Sequence, residues 1–388
     1  MTLEKKPNKY LQFAVLGLLL VGYILALAWA NSGNTREDPV PFRGVEYENA
    51  QVLGILEDNT QEDPAIEGRL RGSQVLELEI LTGRYQGQRA LCTNYFSAMY
   101  NVEVEMGDTI SVRVDTVSPG TYTVNVYNYN RVPAIILVAL TFVGALVAIC
   151  GWRSLRILVG LVFTFVSIMY LLLPLALKGW STVPVTMVLV TVTATASFWL
   201  LGGWQPKTLG ATLGCFCGVA GAAILGSLAA EMLHVSAYQM DEAEALLLAR
   251  GDTGLKLEGL LLSGILISAE GAVMDTAMSV ASAMAELKEK KPEIGLAELF
   301  RSGMHIGKDT TGTMANTLVL AFAGSSFNMM ILIYSYQVSF LQLMNTDFVA
   351  VELVRSVAGS LGIILTVPCV AIITAALLCR KQSKRRAV

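Results

Sequence analysis

Charge is scarce in this chain. Only 15% of its 388 residues are Asp, Glu, Lys or Arg, against about a quarter in a soluble domain. That scarcity excludes a solvated globular surface over most of the length. A basic stripe with interleaved aromatics is missing too, so nucleic acid is not an expected partner. Histidine is scarcer still. The two histidines, His234 and His305, fall on opposite sides of a membrane by the charge distribution, which argues against a His-based metal centre. Of the six cysteines, only Cys92 lies outside the apolar runs, so the polar segment cannot form its own disulfide. Cys215 and Cys217, two apart on a helix, point in different directions. With Cys150, Cys369 and Cys379 they read as small core residues. Enzyme signatures are also lacking: no GxSxG elbow, HExxH helix, Walker loop or nucleotide-binding glycine fingerprint. No enzyme activity and no cofactor is expected. Any transport would run on a gradient or on a separate motor.

What the chain has in abundance is apolar sequence, 54% of all residues. Runs of the roughly 20 residues needed to span a bilayer occur at 10–30, 132–151, 155–177, 182–203, 208–230, 257–286, 312–336 and 349–379. The fold class is a polytopic α-helical membrane protein of about eight transmembrane helices. The first run follows Lys5, Lys6 and Lys9 and ends in Ala28-Trp29-Ala30, a signal-peptidase-like site. Its apolar stretch exceeds that of a signal peptide, so 1–30 reads as an uncleaved anchor. Lys and Arg in short flanks set the orientation. With the N-terminus inside, sixteen fall on the inner side and four on the outer. Both termini are therefore placed in the cytoplasm, with 380–388 a basic tail.

Residues 31–131 form the one polar domain, on the outer side. Alternating β-rich runs at 74–81, 102–105, 109–114 and 121–127 are separated by turn signals at Thr82-Gly83, Met106-Gly107-Asp108 and Ser118-Pro119-Gly120. This spacing predicts a small β-barrel or sandwich of about five strands, OB-like in size. Two amphipathic stretches, Tyr238 to Arg250 and Pro292 to Ile306, are expected to lie along the membrane surface or to re-enter it, with Pro292 in a first helical turn.

Two carboxylates interrupt the sixth apolar run. An ionisable group at a helix centre costs roughly 2.5–3.5 kcal/mol by insertion scales and by default marks a functional site. Asp275 belongs to a stripe of Gly264, Ser268, Gly271, Met278 or Ser279, and Ser282, every three or four residues. Small residues admit a neighbouring backbone, and hydroxyls can replace water around an ion. Glu270, about 140° around the helix, faces another neighbour. The seventh run opens with candidate partners: Asp309, Gly312 or Thr313, and Asn316 share one face, beside Lys308. Lys308 either neutralises Asp275 or Glu270, or is a positive-inside anchor. Asp275 either binds a ligand or only fixes packing. Gly210, Gly214 and Gly218 have the spacing of close helix packing, and the hydroxyls of Thr191, Thr193, Thr195 and Ser197 suit packing as well. Glu352 and Arg355 permit an intrahelical pair, read as an anchor.

These segments resemble a known family. Gly271-Ala272-Val273-Met274-Asp275-Thr276-Ala277-Met278-Ser279 is similar to a hallmark of the YibE/F family of bacterial membrane proteins. So are Gly303-Met304-His305-Ile306-Gly307-Lys308-Asp309 leading into Gly312-Thr313-Met314-Ala315-Asn316-Thr317-Leu318, and Glu352-Leu353-Val354-Arg355-Ser356 with Gly359-Ser360-Leu361-Gly362. Thr82-Gly83-Arg84-Tyr85-Gln86-Gly87-Gln88 fits as well. The resemblance runs from about residue 45 to 379. It implies a multi-pass protein with 132–379 as the membrane domain, and names no substrate or reaction. Lys308 stands where the family pattern has arginine, so no bidentate guanidinium contact carries over. The expectation is a gradient-driven transporter or permease component in the plasma membrane, binding a proton, cation or small polar solute. Asp275, Glu270, Ser279, Lys308, Asp309, Thr313 and Asn316 would form its polar site. The alternative is a scaffold or accessory subunit, whose outer domain binds an envelope protein or which works as an oligomer.

Overall fold

A computed structural model of the chain describes residues 21–32, 44–118, 121–240, 243–250 and 254–386. Lys5, Lys6, Lys9 and the first half of the N-terminal apolar run lie outside the described residues. The chain divides into two compact units, 35–149 and a second made of 1–34 with 150–388. The described part of the N-terminal run is one helix, α1 (Val21–Asn31).

The first unit is a curled antiparallel sheet followed by an apolar helix. Its strands are β1 (Val45–Asp58), β2 (Gln61–Glu62), β3 (Leu70–Ile80), β4 (Arg89–Phe96), β5 (Thr109–Ser118) and β6 (Thr121–Tyr129). The helix is α2 (Val132–Cys150). The long strands run in the order β4, β3, β1, β5, β6, with short β2 also on β3. Alternation sets the inner face. Gln74, Leu76, Leu78 and Ile80 of β3 point in while Val75, Glu77 and Glu79 do not, as period-2 geometry requires. Two irregularities in β1, at Val52/Gly54 and Ile55/Glu57, bend that central strand. The sheet then curls far enough for the Val126 backbone to hydrogen-bond the Cys92 thiol across from β4. The result is a half-barrel from one continuous sheet rather than a two-sheet sandwich. Cys92 is part of its core, with Val52, Leu78, Val112 and Val114, and burial pushes its thiol up from the ordinary value.

The second unit is a helical bundle. α1 lies along α3 (Ser154–Ser167), with the Tyr23 hydroxyl 2.8 Å from Ser167 Oγ. A π turn at Ile168–Leu172 joins α3 to α4 (Leu173–Leu177). Pro174 supplies a physical cause, because it removes a backbone donor and crowds the preceding turn. Lys178, just beyond, donates to the carbonyls of Trp29 and Ser32 at 3.0 and 2.7 Å and so closes the end of α1. There follow α5 (Thr182–Gly202), α6 (Pro206–Met232), a 3-10 turn at Ala237–Gln239 and α7 (Ala243–Arg250). The remainder is α8 (Leu260–Lys290), α9 (Leu296–Ser325), α10 (Phe327–Ser335), α11 (Phe340–Met344) and α12 (Asp347–Arg386). α6 and α12 pack antiparallel at the centre. Gly210, Gly214 and Gly218 lie against Thr374, Val370 and Thr366 in turn, and a Cβ on Gly214 would sit 2.8 Å from the Val370 Cα. The close packing expected of those glycines is what the structure shows.

Six helices in the described residues are long and apolar enough to cross a membrane, and α9 with α10 qualifies as a pair bent by 59°. Two expectations need correction here. The 292–306 stretch is not a separate surface helix: α9 runs unbroken from Leu296, through 306–312, to Ser325. Pro292 sits in the turn before it, and Gly295 is the cap. Nothing between 306 and 312 breaks the backbone hydrogen bonding, so the amphipathic and apolar parts join. The interruption falls instead at Ser325–Ser326, inside the run read as one straight span. Likewise 238–250 is no single helix, since the 3-10 turn, closed by a Ser236–Gln239 capping box, precedes α7.

Candidate functional site

Helix α8 carries its two carboxylates on different faces. One face is core, with Val273, Ala277, Val280 and Met284 fully buried. Glu270 lies at the edge of that face and is itself buried, 4% exposed. Its carboxyl accepts a hydrogen bond from Thr193 Oγ1 of α5. Thr193 is one of the hydroxyls read as suited to packing. It does lie 2.9 Å from the Leu189 carbonyl, and it also holds Glu270. Thr191 and Thr195 bond the carbonyls four residues back, as packing hydroxyls do.

Asp275 is on the opposite face. Gly264, Ser268, Gly271, Asp275 and Ser279 are all exposed, and nothing lies within 4 Å of a Cβ built on Gly264 or Gly271. The predicted stripe therefore exists as a continuous face, and it points out of the bundle rather than into it. Asp275 has no hydrogen-bond or ion-pair partner among the described residues. The proposed pair with Lys308 is not formed, and neither is a Lys308–Glu270 pair.

Helix α9 presents a second polar face beside it. Gly303 and Gly307 are turned inward against Met284 and Val367. His305, Lys308, Asp309, Gly312, Thr313 and Asn316 are exposed. The register between α8 and α9 is fixed at two levels. Gly303 meets Met284, and Leu318 and Ala269 both border Gly359 of α12. The intervals agree on the two helices, so one antiparallel register holds throughout. It puts Gly312 level with Asp275, Lys308 level with Ser279, and Asn316 level with Gly271. Lys308 is thus one turn, about 6 Å, from the level of Asp275. The sequence motifs of the two helices lie at one depth, with a carboxylate, an ammonium, hydroxyls and an amide exposed on two adjacent helices. Such groups can replace part of the hydration shell of a cation or polar solute. No cluster of three or more His, Cys, Asp or Glu suited to a metal occurs among the described residues.

A further feature was not singled out from sequence. At the α9–α10 bend a cavity of about 1180 Å³ opens between these helices and the start of α12, with Ser326, Tyr334, Gln337, Glu352 and Ser356 in its wall. Glu352 Oε1 accepts from Arg355 Nη1 at 2.7 Å, the pair expected from the spacing. Its other oxygen, Oε2, is buried and without a partner. The available signal was Gly324-Ser325-Ser326, since Gly and Ser together are a common cause of kinks.

No curated protein and no solved structure matches this chain. The family model described as YibE/F-like protein matches residues 138–380, which takes in α3 to α11 whole and both polar faces, and the chain belongs to that family.

Proposed function

We propose that this integral membrane protein is a transporter or permease component that passes a small cation, proton or polar solute through the bilayer of the bacterial plasma membrane. Asp275 would bind or relay the moving charge, with Ser279, Lys308, Asp309, Thr313 and Asn316 around it. Both termini would lie on the cytoplasmic side and the half-barrel outside. The observation that supports this is the register of α8 on α9, which levels the polar groups of two helices within a span. The bent α9–α10 pair adds to it, because interrupted helices are where transporter sites tend to be built. Glu270, held by Thr193 in the packed interior, has a structural role in this reading. No bond-making step is assigned to any of these groups.

The test is flux in proteoliposomes under an imposed gradient, read with a trapped pH-sensitive dye and repeated with sodium and potassium gradients. Wild-type protein is expected to dissipate at least one gradient, and Asp275→Asn to do so at least tenfold more slowly. Equal rates would remove Asp275 from the mechanism. A second reading, a scaffold that binds an envelope partner, draws on the exposed Leu91, Tyr95, Met99 and Tyr100 of the half-barrel. Absence of flux in every gradient, together with capture of a defined envelope protein on that surface, would favour it.

A further inference from the structure

The outward polar face of α8 and α9 poses an energetic problem for a single copy. Asp275 and Lys308 are exposed at neighbouring depths, and neither has a partner among the described residues. Lipid tails cannot solvate either group, and an Asp or Lys at a helix centre costs roughly 2.5–3.5 kcal/mol even by the mild insertion scales. The bundle's inner glycines are already occupied, with Gly210, Gly214 and Gly218 filled by α12. Gly264, Gly271 and Gly312 by contrast border open space. The face is therefore charged and unfilled, and its small residues are of the kind that close helix association in a membrane uses.

We propose that this face is a homodimer interface, with a second copy of the chain docked on it and Asp275 of each copy paired with Lys308 of the other. Charge complementarity selects the occupant. A two-fold axis along the membrane normal leaves depth unchanged, so each Asp275 meets a Lys308 one turn away, within reach of the lysine stem. An isologous contact makes both pairs at once. The chain's own α2, VPAIILVALTFVGALVAIC, has no charged side chain with which to neutralise Asp275. The proposal rests on the same polar face as the transport reading but not on transport itself, and association and flux are read separately.

The test uses full-length chains carrying two different affinity tags, co-expressed and captured from membranes through one tag. Wild-type copies are expected to co-purify. Asp275→Lys alone and Lys308→Asp alone should each lose self-association at least tenfold. Co-expressing one with the other should restore it, because both cross-pairs are then rebuilt between copies. An ion pair inside one chain predicts no such rescue. Gly271→Leu guards against simple misfolding. Its side chain enters space that is open in the single chain, so the fold should survive while a second copy is kept away. Rescue in the mixed pair, with a folded and monomeric Gly271→Leu, supports the interface. Wild-type chains that do not co-purify, a mixed pair no better than the single variants, or a Gly271→Leu chain that still self-associates would each overturn it. In that case the face is not a contact between two copies of this chain.

Discussion

A buried carboxyl and an outward one, five residues apart, make different demands on their neighbours. Glu270 needs a donor, and Thr193 is the one it has. Thr193→Val should leave the carboxyl unsatisfied at a cost of about 1–3 kcal/mol, seen as a lower thermal unfolding midpoint. Glu270→Gln, whose amide keeps the contact, should be much milder and should leave any flux unchanged. A large flux defect in Glu270→Gln would move Glu270 into the transport path. On the half-barrel, Asp58 is held below its ordinary value, first by the Thr60 hydroxyl, then by Gln74 and the Thr60 backbone. A depressed carboxyl stabilises above its unfolded value, and the benefit disappears as pH falls through the folded value. Asp58 is exposed, so the effect is local and small. Hydrogen exchange at the Thr60 amide, corrected for intrinsic rate, should accelerate below about pH 4 and stay flat from pH 5 to 8. A flat profile through pH 3 would mean the turn does not depend on the charge. At this scale much was legible. The three-to-four-residue spacing identified the Asp275 stripe and separated it from Glu270. What spacing cannot supply is direction, because a small polar face looks the same whether it meets a neighbouring helix or the outside of the bundle. Only the position of the core, set by α6 and α12, decides that.

Between elements, the glycines of α6, four residues apart, and those of α8, seven apart, have opposite roles. The α6 row is filled by α12, and the α8 row faces open space. Gly214→Val should overpack the α6–α12 contact and destabilise the bundle by about 1–3 kcal/mol, visible as a lower unfolding midpoint and lower abundance in the membrane. The same valine at Gly271 should leave the midpoint of a single copy unchanged. Equal losses at both positions would show that the outer row is already packed within the chain. The helices themselves were readable as apolar runs because their length matches a bilayer. Their ends and breaks were less so. Hydropathy averages over about 20 residues, so the Ser325–Ser326 interruption disappeared into the 312–336 run. The polar start of α9 likewise looked like a separate helix. Backbone hydrogen bonding, not mean polarity, determines where a helix stops.

Across the whole molecule, the alternation of polar and apolar residues had already separated a β unit from a helical one. The finer shape, one curled sheet, depends on bulges in β1, for which the lone Gly54 within the strand is the cue at the first. The two units have separate cores. The half-barrel core is drawn from Ala50 to Val124, and the largest bundle cluster from Val190 to Ala375, with no residue in common. Each unit thus has a core of its own, the condition for independent cooperative unfolding. Full-length protein in detergent or nanodiscs is expected to unfold in two resolved steps. Leu78→Ala, which empties a fully buried site in the half-barrel, should cost that unit about 2–5 kcal/mol. Its step should shift down while the bundle step stays within a degree. Near-ultraviolet circular dichroism can follow the bundle through Trp180, Trp199 and Trp204, since residues 44–149 contain no tryptophan. Amide exchange along β3 can follow the half-barrel. If Leu78→Ala lowers both steps together, the two units do not unfold independently. If it lowers one alone, each core unfolds on its own.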